Sequence, residues 1–321
     1  MKNEHRYDER DLAVIQASQH FDANESMFFA RELEQVKAKT YDKKFAELTA
    51  TRVIPVSSDV NPGAESITYY QYEETGMADI ISNYANDLPR ADAKGKPFSS
   101  VVKGLGASYG YSVQDVRAAR MAGKPLEQRK ANAARAAVDQ KINKLAYFGD
   151  SVHGLVGLFN HPNVTVYTLP ADGTGSSTKF IDKTPDQVLR DLNGMVNKII
   201  DLTASVESPD TLLLPHAVYG DLTTRARSAT SDTTILDFFI SKNPYVKNVI
   251  PIPECKGAGT AGADLCMMLR RDPDKLTLEI PQMFEQFPPQ TKGLEFEIPC
   301  HARFGGVIIY YPLSLIKASG C

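Results

Sequence analysis

Apolar positions recur along this chain with two different periods, and the changes of period mark its elements. Phe29, Leu33 and Val36 fall three and four residues apart, which predicts a helix over residues 27–39 with Asn24 or Ser26 as its cap. A short helix is expected over residues 11–19, inside an otherwise polar arm. Residues 52–56 read as a strand, and Asn61-Pro-Gly63 as a turn. Residues 66–74 are then rich in β-branched and aromatic side chains, which is strand composition. Ile67, Tyr69 and Gln71 share one face; Thr68, Tyr70 and Tyr72 share the other. Neither face is strongly apolar. Residues 76–86 carry on, residues 87–97 form a basic, proline-containing tip, and residues 98–109 read as the returning strand. The pattern over residues 67–108 therefore predicts a long two-stranded excursion with little core of its own.

The period then changes. Ser112 is a plausible cap, followed by a helical stretch to Ala122, a Gly123-Lys-Pro125 break and a second helix up to Phe148. Ala131, Ala134, Val138, Ile142 and Leu145 form its stripe, and Gly149 ends it. Arg129, Lys130, Arg135, Lys141 and Lys144 give this helix a basic surface, read first as a solvated face, with subunit contact or an enclosed polyanion as the alternatives. Gly154-Leu-Val-Gly-Leu-Phe-Asn160 is an apolar connector.

The second half mixes periods. Residues 164–168 are a short strand. Thr184-Pro185 opens the clearest amphipathic helix, with Val188, Leu189, Leu192, Met195, Val196 and Ile199 on one face. Strands are expected over 211–215, 249–253, 264–269, 276–280, 294–298 and 306–311, and helices over 216–227 and 235–240. Without regular alternation of strand and helix this is an α+β chain.

An isolated two-stranded hairpin is marginal in water. Ordering some forty residues costs on the order of 1–2 kcal/mol each in backbone entropy. Local burial of few apolar side chains, at roughly 25 cal/mol per Å², offsets only part of that. The remainder must come from a surface elsewhere. Two placements satisfy this: the hairpin lies across its own domain, or it rests on a neighbouring copy of the chain. The second is the reading adopted, and it makes this a shell-building protein.

Composition narrows the alternatives. The 321 residues are 42% hydrophobic and 23% charged, with formal net charge -3. No whole-chain basic excess points to stoichiometric nucleic-acid binding. The first ten residues are highly charged, so no signal peptide is expected, and no apolar run is long enough to cross a membrane. Cys255, Cys266, Cys300 and Cys321 contain no CxxC and read as free thiols. His5, His20, His153, His161, His216 and His301 show no metal-ligand spacing. Glu73 and Glu74 are adjacent on a strand and point to opposite faces, so they cannot share a substrate atom. Gly257-Ala-Gly-Thr-Ala-Gly262 matches GxGxxG, but its sequel reads as a strand, which makes the glycines a floppy hairpin loop. No catalytic residue, cofactor site or metal site is therefore assigned, and the chain is not expected to be an enzyme.

The order of parts resembles a known family. An arm with a helix, a long hairpin, a long helix ending in Tyr147-Phe-Gly149, and then Gly154-Leu-Val-Gly-Leu-Phe-Asn160 look like the tailed-phage major capsid proteins of the HK97-like fold, which the encapsulin shells share. The likeness is most specific over residues 67–160. It implies an N-terminal arm (residues 1–60), an extended β-hairpin loop or E-loop (61–111), a peripheral domain with a long spine helix (112–163), an axial domain (164–290) and C-terminal strands returning to the peripheral domain (291–321). It further implies a capsid subunit assembling as pentamers and hexamers of an icosahedral head around double-stranded DNA, enclosed without sequence-specific binding. Implied partners are other copies of the chain, with scaffolding, portal and decoration proteins; no membrane is implied. The setting implied is the virion, assembled in the host bacterial cytoplasm. Lys–Asn crosslinking is not carried over, because Lys94 and Lys96 have no matched acceptor. The few residues before the hairpin predict a separate scaffolding protein. An encapsulin-type compartment holding a cargo enzyme is the alternative, and a soluble nucleotide-binding enzyme the weaker one.

Overall fold

The computed structural model describes residues 48–75, 92–123 and 126–321. All belong to one unit, Leu48–Cys321. The helices expected over 11–19 and 27–39, the continuation expected over 76–86, residues 87–91 of the expected tip and the residue pair 124–125 lie outside the described residues.

In chain order the elements are α1 (Ala50–Val53), β1 (Val56–Ser57), β2 (Ser66–Thr75), β3 (Asp92–Val101), β4 (Lys103–Ser112), α2 (Val113–Ala122), α3 (Leu126–Phe148), β5 (Thr165–Tyr167), α4 (Pro185–Leu202), β6 (Thr211–Leu214), α5 (His216–Thr224), α6 (Ile235–Lys242), β7 (Asn248–Pro251), β8 (Leu265–Leu269), β9 (Leu276–Glu279), β10 (Gln282–Gln286), β11 (Gln290–Lys292), β12 (Glu295–Phe304), β13 (Gly306–Ile309) and β14 (Leu315–Ser319). The result is an α+β fold.

A five-stranded sheet, ordered β5-β14-β8-β6-β7, sits between two apolar clusters. Successive side chains of a strand point to opposite faces, so a strand covered on both faces is apolar throughout. In β8, Cys266 and Met268 enter the cluster under α4, while Leu265, Met267 and Leu269 enter the cluster shared with α3. Leu212 and Leu214 of β6 face the first and Leu213 the second. α4 covers the sheet with Val188, Leu189, Leu192, Met195, Val196 and Ile199, as its periodicity predicts. A reciprocal Thr184–Gln187 capping box and Pro185 in the first turn start it.

A second sheet is built on β12. β4 pairs with it antiparallel along its whole length, from Glu295↔Ser112 to Phe304↔Lys103, and β10 and β11 pair on its other side. Tyr109, Tyr111, Ile298 and Cys300 point to the face that carries Ala134 of α3. The predicted stripe of α3 holds: Ala134, Val138, Ile142 and Leu145 are buried.

The C-terminus of α3 explains the Gly154–Asn160 motif. The last four carbonyls of a helix have no partner within it. Here all four are met. Gly149 N, at φ 63°, donates to Leu145 O at 2.8 Å; Leu158 N reaches Ala146 O at 2.8 Å; Phe159 N reaches Tyr147 O at 2.9 Å; and Asn160 Nδ2 reaches Phe148 O at 2.7 Å. Asn160 also accepts from Gly157 N at 2.7 Å. The segment folds back so closely that a Cβ on Gly157 would stand 2.6 Å from Tyr147 O, with Gly149 N nearer still. Neither neighbour is a side-chain end that can swing away. Gly157→Ala is therefore expected to destabilise the subunit by roughly 3 kcal/mol, read as a fall in urea midpoint. An unchanged midpoint would refute this account of the turn.

Several expectations are corrected. Residues 52–56 do not form one strand; Ala50–Val53 is a helical turn, because Asn143 Oδ1 accepts from Ala50 N at 2.9 Å and caps it from α3. The returning strand does not run over 98–109. Strand structure already starts at Asp92, so Asp92–Pro97 belongs to the hairpin ladder rather than its tip, and the chain breaks at buried Val102 before β4 joins a different sheet. The strand expected over 294–298 continues to Phe304. The Gly257–Gly262 segment is not a hairpin loop, because β6 lies between β7 and β8. Nor is it floppy: Gly257 N donates to Asp264 Oδ1 at 2.9 Å and Thr260 N to Ser319 Oγ at 2.8 Å. No helix follows it, so the geometry that holds a dinucleotide pyrophosphate is missing.

Candidate assembly surfaces

The hairpin has two unlike ends. β2 and β3 pair in register from Ser66↔Val101 to Thr75↔Asp92. At the base, Tyr69 stacks on Phe98 with ring centroids 5.5 Å apart and meets Tyr310 edge-on at 5.0 Å. Ser100 Oγ donates to Gly305 O at 2.9 Å, and Val102 N to Glu65 O at 2.8 Å. These contacts tie the root of the hairpin to β13 and its neighbours. Burial raises the pKa of the Tyr69 hydroxyl, and nearby Tyr310 adds to this, as expected for a ring held in the body of the protein.

Farther out these supports end. Tyr70 is 63% and Tyr72 69% exposed, and Gln71 and residues 94–97 are exposed as well. Alternation along the strands thus leaves large aromatic rings in water on one face, with polar or small side chains on the other. Between β1, the base of β2 and Tyr310–Tyr311 runs a groove of about 700 Å³, floored by Pro55, Thr277 and Pro273. Exposed aromatic rings beside such a groove, next to open strand edges, are the usual substrate for a second chain.

The β4–β12 ladder offers another edge. Among the described residues no strand pairs with the far side of β4. On the face away from α3, β4 presents Gly104, Gly106, Ser108 and Gly110. A Cβ on Gly106 would meet nothing within 4 Å, so its own fold does not demand glycine there.

Elsewhere, two clusters of buried polar groups are paired. Glu254 holds the junction of α1 and α3: it accepts from Thr49 Oγ1 at 3.0 Å and Asn143 Nδ2 at 2.5 Å, while Thr49 also meets Tyr147 OH at 2.8 Å. Lys183 and Asp191, both fully buried, pair at 2.5 Å. Arg190 bridges Asp191 and Asp172, at 2.7 Å to each. The Arg190 guanidinium beside Asp172 holds that carboxyl below the usual carboxylate range, with Lys183 adding to the effect. This network lies at the start of α4 and fixes its first turns.

Cys255, Cys266, Cys300 and Cys321 are buried and free of disulfides. Burial pushes the Cys255 and Cys300 thiols up, so both resist becoming thiolates. His161 is half-buried beside Lys317, and burial lowers its pKa. Among the described residues no cluster of His, Cys, Asp and Glu is arranged to hold a metal ion. No described helix is long and apolar enough to cross a membrane. The hairpin and the β4 edge are thus two surfaces with unfilled contact capacity among the described residues. Sequence reading found the hairpin from its weak two-faced pattern. It missed the β4 edge, whose signal was glycine or serine at every second position, Gly104, Gly106, Ser108 and Gly110.

Comparison with known proteins gives the same picture. The family model described as "Major capsid protein" matches residues 76–320. Among solved structures the chain is similar to the capsid of Myoviridae phage XM1, at 17% identity, over 92% of this chain and 99% of that one, with a TM-score of 0.79. It is also similar to a structure from Mycobacterium phage Bobi (14% identity, 90% and 96% coverage, TM-score 0.61) and to the capsid of a native GTA particle (10%, 90% and 96%, TM-score 0.64). At such identities the likeness is one of fold. No curated protein sequence matches the chain.

Proposed function

The chain belongs to the major capsid protein family, with the HK97-like fold, and from that premise we propose that it builds a tailed-phage head by closing into pentamers and hexamers around double-stranded DNA. The observation that carries the assembly mechanism is the hairpin, supported at its root and exposed at Tyr70, Gln71, Tyr72 and residues 94–97. In this reading β2 and β3 lie over an adjacent subunit, where Tyr70 and Tyr72 find the burial their own fold withholds. Each contact can be modest, because every subunit makes several and ring closure multiplies them.

The parts take roles accordingly. Residues up to about 60 serve as an arm. The loop proper is the β2–β3 hairpin. β4, α2, α3 and β12 form a peripheral layer around the spine helix α3. The five-stranded sheet with α4, α5 and α6 forms the axial part, whose loops, residues 257–262 among them, meet at the symmetry axes. The compartment alternative is less favoured, since the matching family is that of major capsid proteins.

Electron microscopy of the purified, full-length protein tests this reading. Closed icosahedral particles, with five- and six-fold capsomers, are expected under assembly conditions. A protein that stays monomeric across salt, pH and crowding conditions would refute it.

A further inference from the structure

The two helices behind the β4 edge carry a charge balance opposite to that of the rest of the chain. Residues 113–148 hold eight Lys and Arg against three Asp and Glu, whereas the whole chain has 36 against 39. Some of these cations are spoken for. Lys130 Nζ donates to Gly110 O at 2.6 Å and lies 4.8 Å from the centre of the Tyr111 ring; Arg135 pairs with Asp139 at 3.8 Å. Four others are exposed and have no partner among the described residues: Arg117 and Arg120 on α2, and Lys141 and Lys144 on α3.

Their spacing is informative. Residues three apart on a helix project to the same side, so each helix presents a pair of like charges together. Like charges so placed disfavour the helix slightly unless acids stand nearby. None does in α3: the positions three and four residues from Lys141 and Lys144 hold Ala137, Val138, Gln140, Leu145, Tyr147 and Phe148. A surface shaped only for solubility would mix signs. This one places no acid three or four residues from Lys141 or Lys144, on a helix whose other side is buried through Ala134, Val138, Ile142 and Leu145. A partner that supplies negative charge at close, regular spacing fits it, and duplex DNA presents about one phosphate per 1.7 Å of axis.

We infer that Arg117, Arg120, Lys141 and Lys144 face the interior of the shell and make sequence-independent contacts with the phosphates of the enclosed DNA. This rests on the shell reading above. The contacts are weak per subunit, and repetition over the inner surface gives them their effect.

The test is filter binding of a random-sequence linear duplex to the full-length, unassembled chain between 50 and 200 mM salt. Wild type is expected to bind with an affinity that falls steeply with salt. The variant with Arg117→Gln, Arg120→Gln, Lys141→Gln and Lys144→Gln should bind at least about a thousandfold less tightly at 50 mM salt, with the log–log slope shallower by roughly 3–4. The two pairs tested separately should each give about half of that slope change, which guards against a fold defect in the quadruple variant. A control with Lys179→Gln, Lys198→Gln, Lys242→Gln and Lys256→Gln removes equal charge from exposed positions elsewhere and should bind like wild type. Equal losses in both quadruple variants, or no DNA binding by wild type, would overturn the inference. So would failure of shell assembly in the first variant alone with wild type indifferent to DNA, which would place these cations between subunits. Micrographs of the same preparations keep the two ideas apart: shells without DNA binding reject only this inference, and absence of shells from wild type rejects the functional reading.

Discussion

Replacing residues 70–97 by an Asn-Gly turn is expected to leave a folded subunit that no longer forms shells. The cut is chosen from the register. Tyr69 and Phe98 are opposite each other in the ladder, and a two-residue turn is a natural closure for an antiparallel pair. The contacts that tie the hairpin root to the body, the Tyr69–Tyr310 ring contact and the Ser100–Gly305 hydrogen bond, lie on the retained side, as does the Tyr69–Phe98 stack across the hairpin itself. Thermal stability of the isolated subunit should therefore change little. What is lost is the exposed surface carrying Tyr70 and Tyr72. Single truncations, Tyr70→Ala or Tyr72→Ala, should weaken each subunit contact by roughly 1–2 kcal/mol and raise the concentration needed for assembly about 5- to 30-fold. Light scattering during assembly reads both. A shortened chain that still yields normal particles would mean the hairpin is dispensable.

Asp191→Ala should unfold the subunit far more readily, with a loss of about 3–5 kcal/mol. Lys183 and Asp191 have fully buried side chains and pair at 2.5 Å. Removing the carboxylate leaves the ammonium in the interior with only Asp172, 3.5 Å away and partly exposed. It also takes from Arg190 one of its two acceptors. Removing one member of a buried pair is worse than removing both, because the survivor keeps its desolvation cost. The double substitution Lys183→Met with Asp191→Leu should therefore recover most of the lost stability. Urea unfolding of the unassembled subunit separates these cases. A single-variant loss below about 1 kcal/mol would show that water reaches Lys183 and that the pair is not desolvated.

Much of this fold was legible where one segment determines its own environment. The α4 stripe, the Ser112 and Thr184 caps and the fully buried β6 and β8 were written in local spacing. The misreadings fall where a distant segment decides. Residues 50–53 turn helical because Asn143 caps them from α3. The break at Val102 exists because β4 must leave the hairpin and pair with β12, almost two hundred residues later. β12 itself carried the signal, with Ile298, Cys300, Ala302 and Phe304 buried at every second position, but Pro299 argues locally against a strand interior. β10 and β11 are polar and exposed on much of their length, so their sequence gave little to detect. The assembly surfaces were only half visible, since the pattern that betrays a hairpin without a core does not say which edge of the neighbour receives it.

The central claim is that the hairpin is completed by another copy of the chain. Amide hydrogen exchange of β2 and β3, compared between the free subunit and the assembled particle, tests it most directly. Amides of residues 70–75 and 92–97 are predicted to exchange quickly in the free subunit and to become strongly protected in the particle, while those of β8 and α4 are protected in both. Equal protection of the hairpin in the two states would contradict the account.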